Sequence, residues 1–249
     1  MNNTEYEIIL SKLMGVDRSY FVIHEPSEEI KKKADVLMER WMKGEPLAYI
    51  FSEWDFYGKT FTVTPDTLIP RPETEIMVDL INEYRPKSLL EIGTGSGCVA
   101  ISAKLMNPKM RVVATDISKG ALSVAKKNAR KYKAAVEFLE GDLLSKKIKS
   151  QLKKMELRPE MVVANLPYVD KEWDWIDKKA LSFEPECALF ATNHGLDLIY
   201  RLINEMYDMS GRLILEADPS QHEKIIDYGM ANGLTYEKTS GFQLVFRKD

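Results

Sequence analysis

The sequence predicts an α/β fold: a seven-stranded, mostly parallel sheet with helices on both faces, preceded by a small helical region and a linking β-hairpin. From residue 74 onward, apolar β-type runs alternate with amphipathic stretches of helical length. The final segment GLTYEKTSGFQLVFRKD contains two strand-like runs joined by Ser240-Gly241, which predicts a terminal antiparallel hairpin. With 249 residues and 45% hydrophobic content, the chain is long enough for one large domain and a small appendage.

The first part of the chain has a different pattern. Residues 4 to 43 place apolar side chains at helical spacing, and a break at Gly15 and the capping-type PSEE at 26 to 29 divide them into at least two helices. The stretch AYIFSEWDFYGKTFTV then reads as two aromatic-rich strands around a Tyr57-Gly58-Lys59 turn. The predicted domains are a helical domain at 1 to 46, a β-hairpin linker at 47 to 70 and the α/β domain at 71 to 249.

Charge and cysteine content exclude several classes of protein. The formal net charge of -3 gives no general basic surface for nucleic acid, and the basic run KKNARKYK at 126 to 133 continues a helical pattern that we interpret as a solvated helix face. Cys98 and Cys187 have no CxxC or histidine spacing around them, so neither a disulfide framework nor a metal site is predicted. There is no apolar run of the ~20 residues that span a bilayer and no export signal at the N-terminus. These features predict a cytoplasmic protein.

A glycine-rich loop predicts a cofactor site. In LLEIGTGSGCVAIS a strand runs into Gly93, Gly95 and Gly97 and then into a helix, and glycines there permit positive φ and close approach of the backbone to a ligand. GxGxG is shared by dinucleotide enzymes and methyltransferases. Glu91, two residues before the first glycine, favours S-adenosylmethionine, because the methionine ammonium needs an acceptor and a dinucleotide fingerprint would be GxGxxG.

Two further strands end in acids. Asp116 follows the glycine loop by about twenty residues, where a carboxylate can accept both ribose hydroxyls, although it could also cap the helix at 118 to 131. Asp142 ends the third strand, where an acid can face the adenine amine while Leu143 flanks the ring. The three strand ends together favour a bound nucleoside.

The fourth parallel strand ends in VVANLPYV, residues 162 to 169. An Asn165 carbonyl and an adjacent backbone carbonyl can accept both hydrogens of a planar NH2 group, while Pro167 stiffens the turn and Tyr168 offers a stacking face. The alternative is a simple Asn-x-Pro turn. Because this strand ends at the same edge as the glycine loop, we interpret the segment as the site that holds a conjugated nitrogen nucleophile.

The sequence resembles the protein-(glutamine-N5) methyltransferase family, the HemK-like enzymes that methylate the glutamine of the GGQ motif in class 1 peptide-chain release factors. The resemblance runs from about residue 6 to about 217 and includes GEPLAYIFSEWDFYG, TPDTLIPRPETE, LLEIGTGSGCVAIS and FEPECALFATNHGLDLIYRLI. IPRPETE and the EP and HGLD segments lie outside the general cofactor motifs. They make the resemblance specific.

The resemblance implies a Rossmann-like methyltransferase domain at 71 to 249 that binds S-adenosylmethionine, with residues 1 to 46 recognising the release factor. We also expect a monomer that makes no direct contact with nucleic acid or membrane. The resemblance implies cofactor contacts for Gly93 through Gly97, Asp116, Leu143 and Asn165. Together with the strand-end candidates, the expected cofactor-binding residues are Glu91, Gly93, Thr94, Gly95, Ser96, Gly97, Asp116, Ile117, Asp142, Leu143 and Asn165. The implied glutamine-binding residues are Asn165, Leu166, Pro167 and Tyr168, of which Asn165, Pro167 and Tyr168 are catalytic. Arg71 and Glu73 would order the cleft as further substrate-binding residues, or they would form a local ion pair in the linker.

The chain departs from the family pattern at three places. It has Asn165-Leu166-Pro167-Tyr168 where the family usually has NPPY, its N-terminal helical region looks shorter, and it has LEAD where the family favours LEIG. NLPY also occurs in ribosomal-RNA adenine dimethylases, so adenine amino-methylation of RNA or DNA is a rival prediction, opposed by the acidic composition. A third alternative is a noncatalytic methyltransferase fold used for binding.

Overall fold

The structure is a computed structural model that describes residues 3–174 and 181–249. The described residues form two compact units. The first contains residues 3–52 and 181–183, and the second contains residues 53–174 and 184–249. The expected domains at 1 to 46 and 71 to 249 also include residues 1–2 and 175–180, which lie outside the described residues.

The first unit is helical, as the apolar spacing predicts. Helices Asn3–Met14 and Glu28–Met42 pack through a small core that contains Ile9 and Ala34. Ser27, in the PSEE segment, caps the second helix by accepting a hydrogen bond from the Ile30 amide at 3.4 Å. The cap predicted from the sequence is therefore confirmed.

The strand predicted at residues 48 to 51 is wrong, because a short helix, Leu47–Phe51, occupies this position. It begins after Pro46, whose carbonyl accepts hydrogen bonds from the Tyr49 and Ile50 amides, and it ends at Ser52 in the left-handed region with φ 56°. Three consecutive residues are buried here, which a strand with alternating faces does not do in a one-sided sheet. Packing thus overrides the β-propensity of the aromatic and branched residues.

The predicted hairpin follows in the second unit. Strands β1 (Glu53–Phe56) and β2 (Lys59–Thr62) pair antiparallel through a two-residue loop. Tyr57 and Gly58 in that loop have φ values of 49° and 66°, and positive φ at both central positions is the type I′ geometry that suits strand twist.

The predicted seven-stranded sheet is confirmed. Its strands are β3 Ser88–Ile92, β4 Arg111–Asp116, β5 Val136–Glu140, β6 Met161–Ala164, β7 Gly211–Glu216, β8 Thr235–Ser240 and β9 Gln243–Lys248. Their order in the sheet is β5-β4-β3-β6-β7-β9-β8. The five strands β3 to β7 are parallel, and β8 and β9 form the terminal antiparallel hairpin around Ser240-Gly241. The chain reverses its winding direction at β3, between β4 and β6, so the crevice at the carboxyl ends of β3 and β6 is the expected ligand position.

Helices cover both faces of this sheet, and each face has its own apolar core. β3 is buried along its whole length, with Leu90 facing one core and Leu89 the other. None of the helices within residues 3–174 and 181–249 has the length and apolar character that membrane crossing requires. The main helices of this unit are Glu75–Tyr84, Cys98–Met106, Lys119–Tyr132, Lys146–Lys154, Glu186–Leu189, Asp197–Glu205 and His222–Ala231.

Asn128 and Ala129, in the basic run at 126 to 133, are buried rather than solvated. Asn128 is 0% exposed. Its side-chain oxygen accepts a hydrogen bond from the Thr62 amide at 2.8 Å, and its side-chain nitrogen donates to the Thr62 and Ser96 carbonyls, both at 2.9 Å. The expected solvated face is therefore interrupted by a polar link between the hairpin, the helix and the glycine loop.

We predict that Asn128→Ala lowers the free energy of unfolding by about 2 to 4 kcal/mol, because backbone groups of half-buried Thr62 and buried Ser96 lose their partners. Denaturant unfolding monitored by circular dichroism measures this change. Asn204→Ala, an exposed helical asparagine, is the matched control and should change stability by less than about 0.5 kcal/mol. Equal effects of the two substitutions would contradict a structural role for Asn128.

Candidate functional site

The glycine loop lies at the carboxyl end of β3. Gly93, Gly95 and Gly97 all have positive φ, at 74°, 54° and 81°. A Cβ on Gly97 would come within 3.0 to 3.1 Å of Ile101 and Ala125, whereas a Cβ on Gly95 would meet nothing within 4 Å. Gly97 is therefore needed for close packing, and Gly95 provides a turn whose outer side is open.

Glu91 lies directly behind this loop and is buried. One of its carboxylate oxygens accepts hydrogen bonds from the Thr94 hydroxyl at 2.6 Å and from the Ala100 amide at 3.1 Å. Burial raises the pKa of Glu91 to about 8, against the effect of these two hydrogen bonds. Glu91 thus joins the loop to the first turn of helix Cys98–Met106 while also lining the cavity described below.

Asp116 fixes the other side of the loop. Its two carboxylate oxygens accept hydrogen bonds from the Gly95 amide at 2.8 Å and the Ser118 amide at 2.9 Å. The helix cap considered for Asp116 is wrong, because Ser118 caps helix Lys119–Tyr132 by accepting a hydrogen bond from the Ala121 amide. Asp116 therefore positions the loop and presents its remaining lone pairs to the cavity.

A cavity of about 360 Å³ opens above these strand ends, which is within the size range of small-molecule sites. Its walls are mostly apolar, and Ile117 stands at its edge with 64% of its surface exposed. Asp142 accepts a hydrogen bond from Arg201 at 2.8 Å, and Leu143, at φ 41°, is buried beside it. Of the sequence-predicted residues, the cavity brings together Arg71, Glu91, Gly93, Thr94, Gly95, Ser96, Asp116, Ile117, Asp142, Leu143, Asn165, Leu166 and Pro167.

The residues that line the cavity fit S-adenosylmethionine. The open side of the glycine loop leaves room for a ligand. The buried carboxylates of the lining can accept hydrogen bonds from hydroxyls and from an ammonium. The exposed Ile117 offers an apolar surface for a base. The described cavity has no basic cluster of the kind that a pyrophosphate would need, since Arg71 is the cationic residue in its lining.

Asn165 follows β6 at the same edge, next to the glycine loop. Its side-chain nitrogen donates to the Glu216 carboxylate at 2.7 Å and to the Thr74 hydroxyl at 3.1 Å. In the part of the chain that the structure describes, its side-chain oxygen has no hydrogen-bond donor. The Asn165 carbonyl is therefore available to a ligand, as the sequence predicts for an acceptor of N–H groups.

Glu216, at the end of β7, is a site residue that the sequence reasoning missed. It is 1% exposed and also accepts hydrogen bonds from Thr74 and from Gln243, at 3.1 and 2.9 Å. Burial raises its pKa to about 7. The signal was present in RLILEA, a fifth strand that ends in an acid at the edge where the other site residues lie.

The segment after Asn165 is fixed by burial of Leu166 and by a hydrogen bond to the Tyr168 carbonyl. Leu166 is buried in the core and Pro167 lines the cavity, but Tyr168 and Glu73 are absent from the described lining. The Tyr168 carbonyl accepts a hydrogen bond from Gln221 at 2.9 Å, and Gln221 also donates to the His194 carbonyl at 2.8 Å. A Cβ at the neighbouring Gly195 would overlap the Tyr168 carbonyl oxygen, so a glycine is required there.

Arg71 pairs across the sequence rather than within the linker. Its guanidinium lies 2.6 Å from one Glu184 carboxylate oxygen, and the Ile69 amide donates to the other at 3.0 Å. The local ion pair between Arg71 and Glu73 is thus corrected to a pair with Glu184, while Glu73 is exposed. The IPRPETE and FEP segments, 113 residues apart at this contact, are joined by it.

The structure also places Asp170, Glu172 and His194 together, with one ligand atom of each within 4.8 Å of the others, although the sequence predicts no metal site. Asp170 already accepts hydrogen bonds from the Glu172 amide at 3.0 Å and the His194 ring at 2.8 Å. These bonds hold the turn that carries Gly195.

Comparison with known proteins agrees with this geometry. Residues 72–173 match the family described as Methyltransferase small domain, and residues 2–51 match the PrmC N-terminal domain. A release factor glutamine methyltransferase from Koribacter versatilis is 36% identical over 81% of this chain and 73% of its own length. Another from Mycoplasma mycoides is 31% identical over 95% of this chain and 87% of its own. The chain belongs to the release factor glutamine methyltransferase family.

Solved structures support the fold of this family member. A methyltransferase from Pyrococcus furiosus aligns with a TM-score of 0.53 at 15% identity, covering 85% of this chain and 97% of its own. The catalytic domain of hMettl16 in complex with an RNA hairpin aligns with a TM-score of 0.54 at 11% identity, covering 85% and 90%. The predicted Rossmann-like methyltransferase fold and S-adenosylmethionine as the methyl donor are confirmed.

We predict that Glu91 makes the ligand-free protein less stable as the pH rises. An unfolded carboxyl ionises near 4.5, whereas folded Glu91 keeps its proton to about 8. Between these values the unfolded state binds fewer protons, so the free energy of unfolding falls by up to about 1.4 kcal/mol per pH unit from this group. Below 4.5 and above 8 the group contributes no slope.

Glu91→Gln should remove this part of the slope between pH 5.5 and 7.5, as measured by denaturant unfolding at several pH values. Glu137→Gln, at a half-exposed carboxyl on β5, is the control and should retain the wild-type slope. An unchanged slope in Glu91→Gln would show that Glu91 is ionised in the folded protein.

Proposed function

We infer that the protein transfers a methyl group from S-adenosylmethionine to the side-chain amide nitrogen of the glutamine in the GGQ motif of class 1 peptide-chain release factors. The observation that carries this inference is the Asn165 side chain, whose nitrogen is bound by Thr74 and Glu216 and whose oxygen is free within the described residues. A fixed carbonyl beside the cofactor cavity suits an NH2 substrate.

The cofactor, when bound, supplies a methyl group on a positively charged sulfur. We propose that Glu91 receives the ammonium, that Asp116 receives the ribose hydroxyls, and that Asp142 with Ile117 and Leu143 surrounds the adenine. Backbone groups of the loop Gly93 to Gly97, including Thr94 and Ser96, would line the ligand, with Asn165 next to the reacting end. Apart from Gly97, these residues line the same cavity.

An amide nitrogen is a poor nucleophile because its lone pair is delocalised. We propose that the Asn165 side-chain oxygen and the Leu166 backbone carbonyl accept both N–H groups of the glutamine, while Pro167 stiffens the turn and Tyr168 covers the substrate chain. Hydrogen bonds to both N–H groups would strengthen as the nitrogen loses conjugation, so they would stabilise the transition state more than the ground state. The new carbon–nitrogen bond would replace the carbon–sulfur bond, leaving S-adenosylhomocysteine, and one of the two N–H protons would then pass to water. Arg71 would order the wall of the cleft through Glu184, with Glu73 at its outer rim.

We further propose that residues 1 to 46 recognise the release factor and that 47 to 70 link them to the methyltransferase domain at 71 to 249. The first compact unit extends to residue 52 and contains none of the cavity residues. The enzyme would act as a cytoplasmic monomer without direct nucleic-acid contact, for which the net charge of -3 is the supporting observation. Light scattering and filter binding with ribosomal RNA test these two properties.

The activity is tested by incubating the protein with labelled S-adenosylmethionine and intact release factor, its GGQ-to-GGA variant, or ribosomal RNA. We expect label in the intact factor alone. Asn165→Ala should lower turnover by about 2 to 4 kcal/mol of barrier, with a small effect on the Michaelis constant, because its interaction strengthens in the transition state. Asn204→Ala should match the wild type.

Label in ribosomal RNA and none in the factor would favour the adenine methyltransferase alternative. A raised Michaelis constant with unchanged turnover in Asn165→Ala would limit Asn165 to substrate binding.

Removal of residues 1 to 52 tests the recognition unit. The truncated protein should bind S-adenosylhomocysteine with unchanged affinity and methylate a short GGQ peptide at the wild-type rate, but lose most of its activity on intact factor, because remote binding orients the loop. Calorimetry and methylation of both substrates measure this. Full activity on intact factor would assign recognition to the methyltransferase domain.

A further inference from the structure

Glu216 is an ionisable group buried beside the substrate site, and the methyl transfer described above does not use it directly. Three polar side chains from separate parts of the chain donate hydrogen bonds to its carboxylate. Thr74 and Asn165 reach one oxygen at 3.1 and 2.7 Å, and Gln243 reaches the other at 2.9 Å. A carboxylate has only acceptors, and a group that receives three donors is suited to the ionised form.

These contacts determine which end of the Asn165 amide faces the cleft. The Asn165 nitrogen has two hydrogens, and one goes to Glu216 while the other goes to the Thr74 oxygen. Thr74 uses its own hydroxyl hydrogen toward Glu216, so its oxygen is left as an acceptor. Both hydrogens of the Asn165 amide are therefore already hydrogen-bonded, and its side-chain oxygen is the group available to a substrate.

We propose that Glu216, together with Thr74, is a positioning residue that fixes the Asn165 side chain with its carbonyl toward the substrate and so makes the site selective for an NH2 group. This inference rests on the proposed function. A rotated Asn165 amide would direct N–H groups at the glutamine nitrogen, which donates and cannot accept there. The same fixed carbonyl repels a carboxylate, so a glutamate at the substrate position is rejected.

The protonation state of Glu216 controls this orientation of the Asn165 side chain. A protonated Glu216 gains a hydrogen that must find an acceptor, and the nearby candidates are the Asn165 oxygen and the Gln243 oxygen, which is buried without a partner. Burial raises the pKa of Glu216 to about 7. The ionisable groups that influence it are Glu73, Cys98 and Tyr168, and no cationic side chain among the described residues bonds to it. Turnover should therefore fall as the pH drops below about 7, although a glutamine amide does not titrate there.

The test compares turnover, Michaelis constants and S-adenosylhomocysteine affinity from pH 6 to 9 for the wild type, Glu216→Gln, Thr74→Val and Thr74→Ser. Glu216→Gln presents either an oxygen or a nitrogen to Asn165, so turnover at pH 8 should fall about 10- to 100-fold and the rising limb near pH 7 should flatten. Thr74→Val should lose about 10-fold while Thr74→Ser, which keeps the hydroxyl, restores activity. Cofactor affinity should stay within about threefold of the wild type in every variant.

Glu237→Gln is the control and should keep the wild-type pH profile. It removes a carboxyl on the terminal hairpin that pairs with Arg212 of β7. A wild-type pH profile in Glu216→Gln would overturn the proposal, as would a loss of cofactor affinity equal to the loss of turnover. If Glu216→Gln does not fold, the comparison of Thr74→Val with Thr74→Ser is the test. Wild-type turnover in Thr74→Val would then overturn the proposal.

A second readout needs no substrate. The Asn165 side-chain amide resonances in a 15N-labelled protein should shift with an apparent pKa near 7 and lose that shift in Glu216→Gln. If these resonances titrate while the wild type leaves the release factor unmethylated, the proposed function fails and the positioning role holds. If the factor is methylated and the resonances are unchanged across this pH range, the positioning role fails alone.

Discussion

The site depends on the hydrogen bond between the Asn165 side-chain nitrogen and the buried Glu216 carboxylate, 2.7 Å long. Burying a carboxylate costs several kcal/mol unless donors surround it, so the protein must bring Thr74 and Gln243 to the same point. Thr74 comes from the segment before the sheet and Gln243 from its last strand. Glu216 therefore connects the segment before helix Glu75–Tyr84, two parallel strand ends and the terminal hairpin to Asn165, the residue that faces the substrate.

The cofactor half of the site also contains acids that are hydrogen-bonded within the protein. Parallel strands end at one edge, and each of the first acids there binds backbone amides before any ligand arrives: Glu91 binds Ala100, and Asp116 binds Gly95 and Ser118. The loop can adopt positive φ at Gly93, Gly95 and Gly97 because glycine has no Cβ, and the acids then restrict the loop to one conformation. Preorganised groups of this kind need no rearrangement when charge or hydrogen-bond demand changes during reaction.

Much of the fold and part of the site follow from the sequence alone. Alternating strands and helices, the glycine loop and polar residues at strand ends are local patterns, and they correctly predicted the parallel sheet and the terminal hairpin. Partners across the sequence are not local, so the pairing of Arg71 with Glu184 and the burial of Asn128 in a basic run could not be read from it. The role of Glu216 could not be predicted from LEAD alone, because its partners Thr74 and Asn165 lie 142 and 51 residues away in the sequence. The helix at Leu47–Phe51 shows tertiary packing overriding local propensity.

A neutron diffraction structure with S-adenosylhomocysteine and a GGQ peptide tests the central claim most directly, because it locates the deuterium atoms on the Asn165 amide. The account predicts that both of them point to Thr74 and Glu216, that Glu216 carries none, and that the Asn165 oxygen lies about 2.7 to 3.2 Å from the glutamine nitrogen. An Asn165 nitrogen turned toward the peptide, or a deuterium on Glu216 in crystals above pH 8, would contradict it.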